Sequence, residues 1–221
     1  MNQHDLPPGD TQVPRFKLVI FDFDGTLADT FPWFLHVIND AAQRFSFNPV
    51  AQHEHKLLQG FSARRVLRYL DVPLWKLPMI AAYMHRRMAG DIDHIQLFPG
   101  TASLLETLPA HNIALGVVSS NAYKNVCSIL GSSSSTLINH YECGVSVFGK
   151  AARLKNILAA CGIQPQHALY VGDEIRDIEA AQSIHLACGA VTWGYNSSEA
   201  LKAHAPDMLF NSFDEILAAA T

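Results

Sequence analysis

Nothing in this 221-residue sequence approaches the about 20 consecutive apolar residues needed to cross a bilayer; runs such as Leu18 to Phe21 stop at strand length. Positive charge is in short supply as well. Sixteen Lys and Arg against twenty Asp and Glu give a net charge of -4 with no long basic run, which removes the electrostatic footprint of a nucleic-acid binder. The four cysteines, Cys127, Cys143, Cys161 and Cys188, form no CxxC pair and have no histidines at zinc-finger spacing. They are expected as reduced, mostly buried thiols. His53 and His55 are the only tight histidine pair, and two residues apart on a helix they point away from each other, as solvated surface does. Residues 1–16 lack a cationic start followed by an apolar core and read as a flexible tail without a secretion signal. Repeats are absent, and the one low-complexity patch, Ser132 to Ser135, is expected to be a flexible loop. Membrane, nucleic-acid and disulfide-scaffold roles fall away. A cytoplasmic protein acting on a small molecule remains.

What the sequence does hold is apolar: 49% of residues are hydrophobic, enough for a full core in one or two domains. Lys17 to Phe21 is rich in strand-favouring residues, and Ile113 to Val118, Ala168 to Val171 and Leu186 to Val191 resemble it. Between these runs Leu154, Ile157, Leu158 and Cys161, and then Ile175, Ile178 and Ala181, repeat at the spacing of one buried helix face. Continuous apolar strands alternating with amphipathic helices predict an α/β fold, a Rossmann-like, doubly wound parallel sheet covered on both sides.

Residues 31–97 interrupt the alternation. Phe34, Ile38, Ala41 and Phe45 form one helical stripe; Val66, Leu67 and Leu70 form another after a cap at Ser62; Pro73 opens a third helix through Trp75, Ile80 and Met84. The expected division is a core of 17–30 and 98–221 with a small all-helical domain at 31–97. That insert carries eight basic and five acidic residues, whereas the remainder carries eight and fifteen. Most of the eight read as solvated helix faces, with a few available to an anionic ligand.

The strand Lys17 to Phe21 runs into Asp22-Phe23-Asp24-Gly25-Thr26, and residues two apart in an extended chain can present both carboxylates to one pocket. Ligand sites of open parallel sheets lie at such carboxyl ends. The second run ends in Ser119-Ser120-Asn121, a hydroxyl and backbone N–H groups at a helix start that suits an anion. The third ends in Gly172-Asp173-Glu174-Ile175-Arg176-Asp177, and Lys150 follows Phe148-Gly149 at the head of a helix. Gathered at one edge, these groups make an oxygen-rich cation site beside a phosphate cradle.

DFDGT, SSN, a lysine opening a helix and GDEIRD, in that order, resemble the haloacid dehalogenase superfamily and specifically its phosphatases. The resemblance implies that Asp22 attacks phosphorus, while Asp24 protonates the departing alkoxide and later activates water. It implies that Ser119, Ser120 and Lys150 hold the phosphoryl oxygens, and that Mg2+ binds the Asp22 carboxylate, the Asp24 carbonyl and Asp173. Asp177 would order a metal-bound water or Lys150, Glu174 would reach the metal's water shell, and Lys155 is a rival to Lys150. The dehalogenases themselves have tyrosine two residues after the nucleophile, so Asp24 disfavours dehalogenation.

Val191-Thr192-Trp193-Gly194-Tyr195-Asn196, with Pro206-Asp207 and Ser212, is similar to the C-terminal part of bacterial phosphoglycolate phosphatases, in which a helical cap follows the first motif. Such a cap implies a small, acidic phosphorylated metabolite. Gly60 to Arg65 resembles a cap segment of beta-phosphoglucomutases, but Ala63 stands where the mutase has arginine, which disfavours mutase activity and leaves Arg64 either as a substitute ligand or turned to solvent. A phosphomutase or phosphotransferase using the same core, and a non-catalytic metabolite-binding or regulatory protein, stay as alternatives. Phe61, Trp75 and Trp193 are expected in the core rather than stacked on ligand.

Overall fold

A computed structural model describes residues 14–144 and 149–221. Most of the expected tail, and Phe148, lie outside them. Phe16 is not tail: it is buried in the core, and its N–H donates to the Ala220 carbonyl at 3.2 Å.

The expected strands are present as β1 (Leu18–Phe21), β2 (Ala114–Val118), β4 (Ala168–Gly172) and β5 (Ala187–Val191). Two three-residue strands, β3 (His140–Glu142) and β6 (Met208–Phe210), complete one parallel sheet of order β3-β2-β1-β4-β5-β6. Alternate residues feed two apolar layers. Val19, Phe21, Leu115 and Val117 pack against α5 (Thr101–Ala110), α6 (Tyr123–Ser135) and α10 (Phe213–Ala220). Leu18, Ile20 and Tyr170 face α7 (Lys150–Cys161), α8 (Ile175–Gln182) and α9 (Ser198–Lys202). Burial on both faces explains why the inner strands read as unbroken apolar runs.

Between β1 and α5 the described chain is helical: α1 (Phe31–Phe45), α2 (His55–Leu58), α3 (Ala63–Tyr69) and α4 (Leu77–Gly90), with short 3-10 turns. These helices share an apolar cluster of their own, including Ile38, Ala41, Phe47, Leu70 and Val72. The chain leaves and re-enters the core side by side, with the Asp29 N–H on the Gln96 carbonyl and the Phe98 N–H on the Leu27 carbonyl, both at 2.9 Å.

Four expectations need correction. Pro73 precedes a 3-10 turn, Leu74–Lys76, and α4 starts only at Leu77, with Pro78 in its first turn. Trp75 sits on that turn at 72% exposure, with the Lys76 ammonium 5.3 Å from its ring, because the turn directs it away from the apolar cluster. Ser132 to Ser135 is helical: Gly131 (φ 73°) kinks α6, and hydroxyls of Ser135 and Thr136 close the following turn on the carbonyls of Ser132 and Ser133. The cysteines are free, but only Cys188 is fully buried; Cys127 within α6, Cys143 after β3 and Cys161 at the end of α7 are half-buried. Ser62 does precede α3, without a side-chain capping bond. His53 is exposed, whereas His55 is half-buried. No helix among the described residues is long and apolar enough to cross a membrane.

Candidate active site

The sheet register brings the motifs to one edge. Phe21 lies opposite both Val117 and Val171, so the chain emerges from β1, β2 and β4 at the same level. The order of strands reverses at β1, the position where doubly wound sheets leave a crevice at their carboxyl ends. Asp22 leaves β1 with its N–H on the Val171 carbonyl at 2.8 Å, and Ser119 leaves β2 with its N–H on Glu142 at 3.0 Å. Lys150 comes from the first turn of α7, and Asp177 from the first turn of α8. All of these, with Asp173, are at most 3% exposed, so water does not offset their charges. Lys155 is on the exposed side of α7.

Within this pocket the Lys150 ammonium bonds both Asp22 and Asp177. Asp177 also accepts the Tyr170 hydroxyl at 2.8 Å and the Glu174 N–H at 2.9 Å. Asp173 is fixed at both oxygens, by the Thr26 hydroxyl and the Tyr195 N–H, each at 2.7 Å. One carboxylate oxygen from each of Asp22, Asp173 and Asp177 lies within 4.8 Å of the others. Two of the three buried carboxylates thus share one buried lysine, and Asp173 has no ammonium of its own. The deficit of positive charge shows in their acidities. Burial lifts Asp22 to about 7, against the pull of Lys150 and with a push from Asp177. Asp173 is raised well above its ordinary value by burial and then by Glu174, Asp22 and Asp177. Burial alone would raise Asp177 too, but Lys150 and Arg176 outweigh it and hold it below. Hard oxygen donors, convergent and short of positive charge, fit a divalent cation. Two glycines keep the place open: a Cβ on Gly25 (φ +79°) or on Gly194 would collide with the Asp173 side chain.

Asp24 faces differently. Its oxygens accept the Ser119 hydroxyl at 3.3 Å and the Asn121 amide at 3.1 Å, and burial raises its pKa against these bonds. A cleft of about 660 Å³ opens here between the sheet edge and the helices of the insert. Among the described residues Asp24 is the one aspartate lining it; Ser120, Asn121, Glu174, Arg176 and Tyr195 share its mouth. The Ser120 carbonyl is engaged with His85 Nε2 at 2.8 Å, which ties the edge to α4. Arg176 donates through Nε and Nη2 to Glu174. Arg64 is exposed and is not among the lining residues, and neither is any other of the insert's eight basic residues.

The structure therefore gathers Asp22, Asp24, Ser119, Lys150, Asp173 and Asp177, with Ser120 and Glu174 at the rim, and leaves Arg64 outside. Tyr170, Asn121, Tyr195 and Arg176 join them without a role expected from sequence. Arg176 lies in GDEIRD at the head of a helix, a usable signal; Tyr170 is hidden among apolar strand residues.

A family model described as haloacid dehalogenase-like hydrolase matches residues 19–191. Phosphoglycolate phosphatase of Synechococcus elongatus is 34% identical over 206 residues, covering 93% of this chain and 97% of that protein. Phosphoglycolate phosphatase of Salmonella typhimurium is 27% identical over 239 residues, with 94% of each chain covered. The crystal structure of CbbY from Rhodobacter sphaeroides, in complex with phosphate, has the same fold: TM-score 0.73 at 22% identity, over 93% of this chain and 99% of that one.

Proposed function

Because the chain belongs to the haloacid dehalogenase-like hydrolase family and is a phosphatase of phosphoric monoesters, we propose that it uses Mg2+ and passes the phosphoryl group through Asp22. The observation that carries this reading is the divergence of two neighbouring acids. Both have raised pKa values, but Asp22 is buried on Lys150 within the cluster of carboxylates, whereas Asp24 lines the cleft where a leaving group would sit. One suits a nucleophile and the other an acid and base.

In the proposed sequence the Asp22 carboxylate attacks phosphorus as the ester P–O bond breaks, and Asp24 gives its proton to the departing alkoxide. Water then attacks the acyl phosphate, Asp24 takes a proton back, and phosphate leaves as Asp22 is restored. Lys150 and Ser119, with the backbone around Ser120, hold the phosphoryl oxygens. The Asp22 and Asp173 carboxylates and the Asp24 carbonyl would hold the cation, with Asp177 and Glu174 outside it. Bound there, Mg2+ would offset the charge of nucleophile and phosphate. Residues 31–97 would act as a cap that excludes water. Arg176 at the cleft mouth is better placed to meet the substrate than Arg64.

The curated relatives' names make phosphoglycolate the first ester to assay. The test is phosphate release from a panel of small monoesters with Mg2+, together with intact-protein mass spectrometry after acid quenching. A phosphoryl adduct absent from Asp22→Asn protein is expected. Steady turnover by that variant, free of reversion to aspartate, would leave attack by water as the better account.

A further inference from the structure

The cleft is lined in a way that bears on the leaving group, and the inference rests on the phosphatase reading above. Asp24, Asn121 and Arg176 line the cleft from the sheet edge, and His55, Gln59 and His85 are the polar groups that the insert adds. Beyond them it runs between α1, α3 and α4, along Ile38, Phe47, Val50, Leu67, Val72 and Ile80. These side chains belong to the helical insert's own apolar cluster, so the insert is built around this space rather than merely resting over it. Its volume, about 660 Å³, falls among pockets of about 300–1,000 Å³ that enclose ligands far larger than glycolate. None of the insert's eight Lys and Arg residues lines the cleft, so it offers an acidic leaving group no ammonium or guanidinium, only the imidazoles of His55 and His85.

We propose that the inner cleft receives the leaving group of a phosphate monoester whose alcohol carries an apolar alkyl or aryl chain. The phosphoryl end stays at Asp22 and Lys150. The ester oxygen then lies beside Asp24, at the boundary between the polar mouth and the apolar interior, and the chain extends between α1 and α4.

Straight-chain alkylphosphonates cannot be hydrolysed and report binding apart from catalysis. In calorimetric titrations with Mg2+ present, affinity should rise about fourfold for each methylene buried, from methyl toward hexyl. A carboxylated phosphonate of matched length should bind more weakly than the alkyl one. Leu67→Trp, which occupies the inner space, should flatten the series; if that variant does not fold, the series on the unaltered chain decides by itself. Affinity independent of chain length, or a preference for the carboxylated ligand, overturns the proposal. Phosphate release from hexyl phosphate and phosphoglycolate is measured in parallel. Turnover with a flat binding series removes the apolar pocket and keeps the phosphatase, whereas a rising series without turnover of any ester does the reverse.

Discussion

Replacing Lys150 by Met keeps the apolar stem and approximate volume but removes the one ammonium shared by Asp22 and Asp177. The side chain is 2% exposed, so water cannot take its place. Its own pKa stands above the ordinary lysine value although burial pulls it down, because Asp177 and Asp22 push it up. Deleting one partner of a buried ion pair costs about 3–5 kcal/mol. Asp177 would keep its bonds from Tyr170 and Glu174, and Asp22 its bond from the Phe23 N–H, which argues for the lower end, ~3 kcal/mol. For a chain of this size that lowers Tm by roughly 6–12 °C. The loss should depend on pH. In the native protein Asp177 is held below its unfolded value, so its stabilisation is present above that value and is lost as pH falls through the folded pKa. Without Lys150, burial dominates both carboxyls and raises their folded pKa values. The penalty then grows as pH rises past the unfolded value and disappears below it. Urea unfolding in EDTA near pH 8 and again near pH 5 should show the gap between the two proteins shrinking on acidification. A gap equal at both pH values, or a loss under about 1 kcal/mol, would refute the claim that the charge of Lys150 holds these acids.

Asp24→Asn should slow phosphate release from alkyl esters by about 10²- to 10⁴-fold and affect aryl esters with good leaving groups much less, as parallel kinetics would show; equal losses on both would exclude a proton-transfer role. Burial raises the folded pKa of Asp22 from 3.8 to about 7, so the metal-free protein should lose stability as pH climbs through that window. The increment in Tm produced by Mg2+ should accordingly widen between about pH 4 and 7, and a constant increment would count against a cation at Asp22. Gly194→Ala pushes a methyl group into the Asp173 side chain and should cost about 1–3 kcal/mol while weakening Mg2+ binding in calorimetry. Unchanged Mg2+ affinity in that variant would show that Asp173 is not held where the cation binds.

The sheet was legible because its inner strands are buried on both faces: LVIF in β1 and the apolar runs of β2, β4 and β5 carry no competing pattern. β3 and β6 escaped because each is three residues long, and the polar ends of His140–Glu142 look like loop. Placing Asp22, Ser119 and Asp173 at one edge needed only the rule that parallel strands end together. Which acid would face the cleft was not readable, since the turn at Gly25 and the bonds from Ser119 and Asn121 decide it. Trp75 misled because an apolar side chain in a helical pattern normally packs inward, and the 3-10 turn changes its direction. The basic surplus of residues 31–97 was visible, but composition cannot say which way a helix turns its charged face.

The central position of β1 also bears on how the chain is made. β1 ends at Phe21, yet its two neighbours in the sheet end at Val118 and Gly172, so its second side is covered only after roughly 150 further residues have been synthesised. At about 5–20 residues per second that is a wait of about 8–30 s. For most of it an apolar strand tipped with two acids is without Lys150, and throughout it without the complete second flanking strand, that will eventually hold it. Nascent chains stopped short of Gly172 should therefore be the ones that engage chaperones.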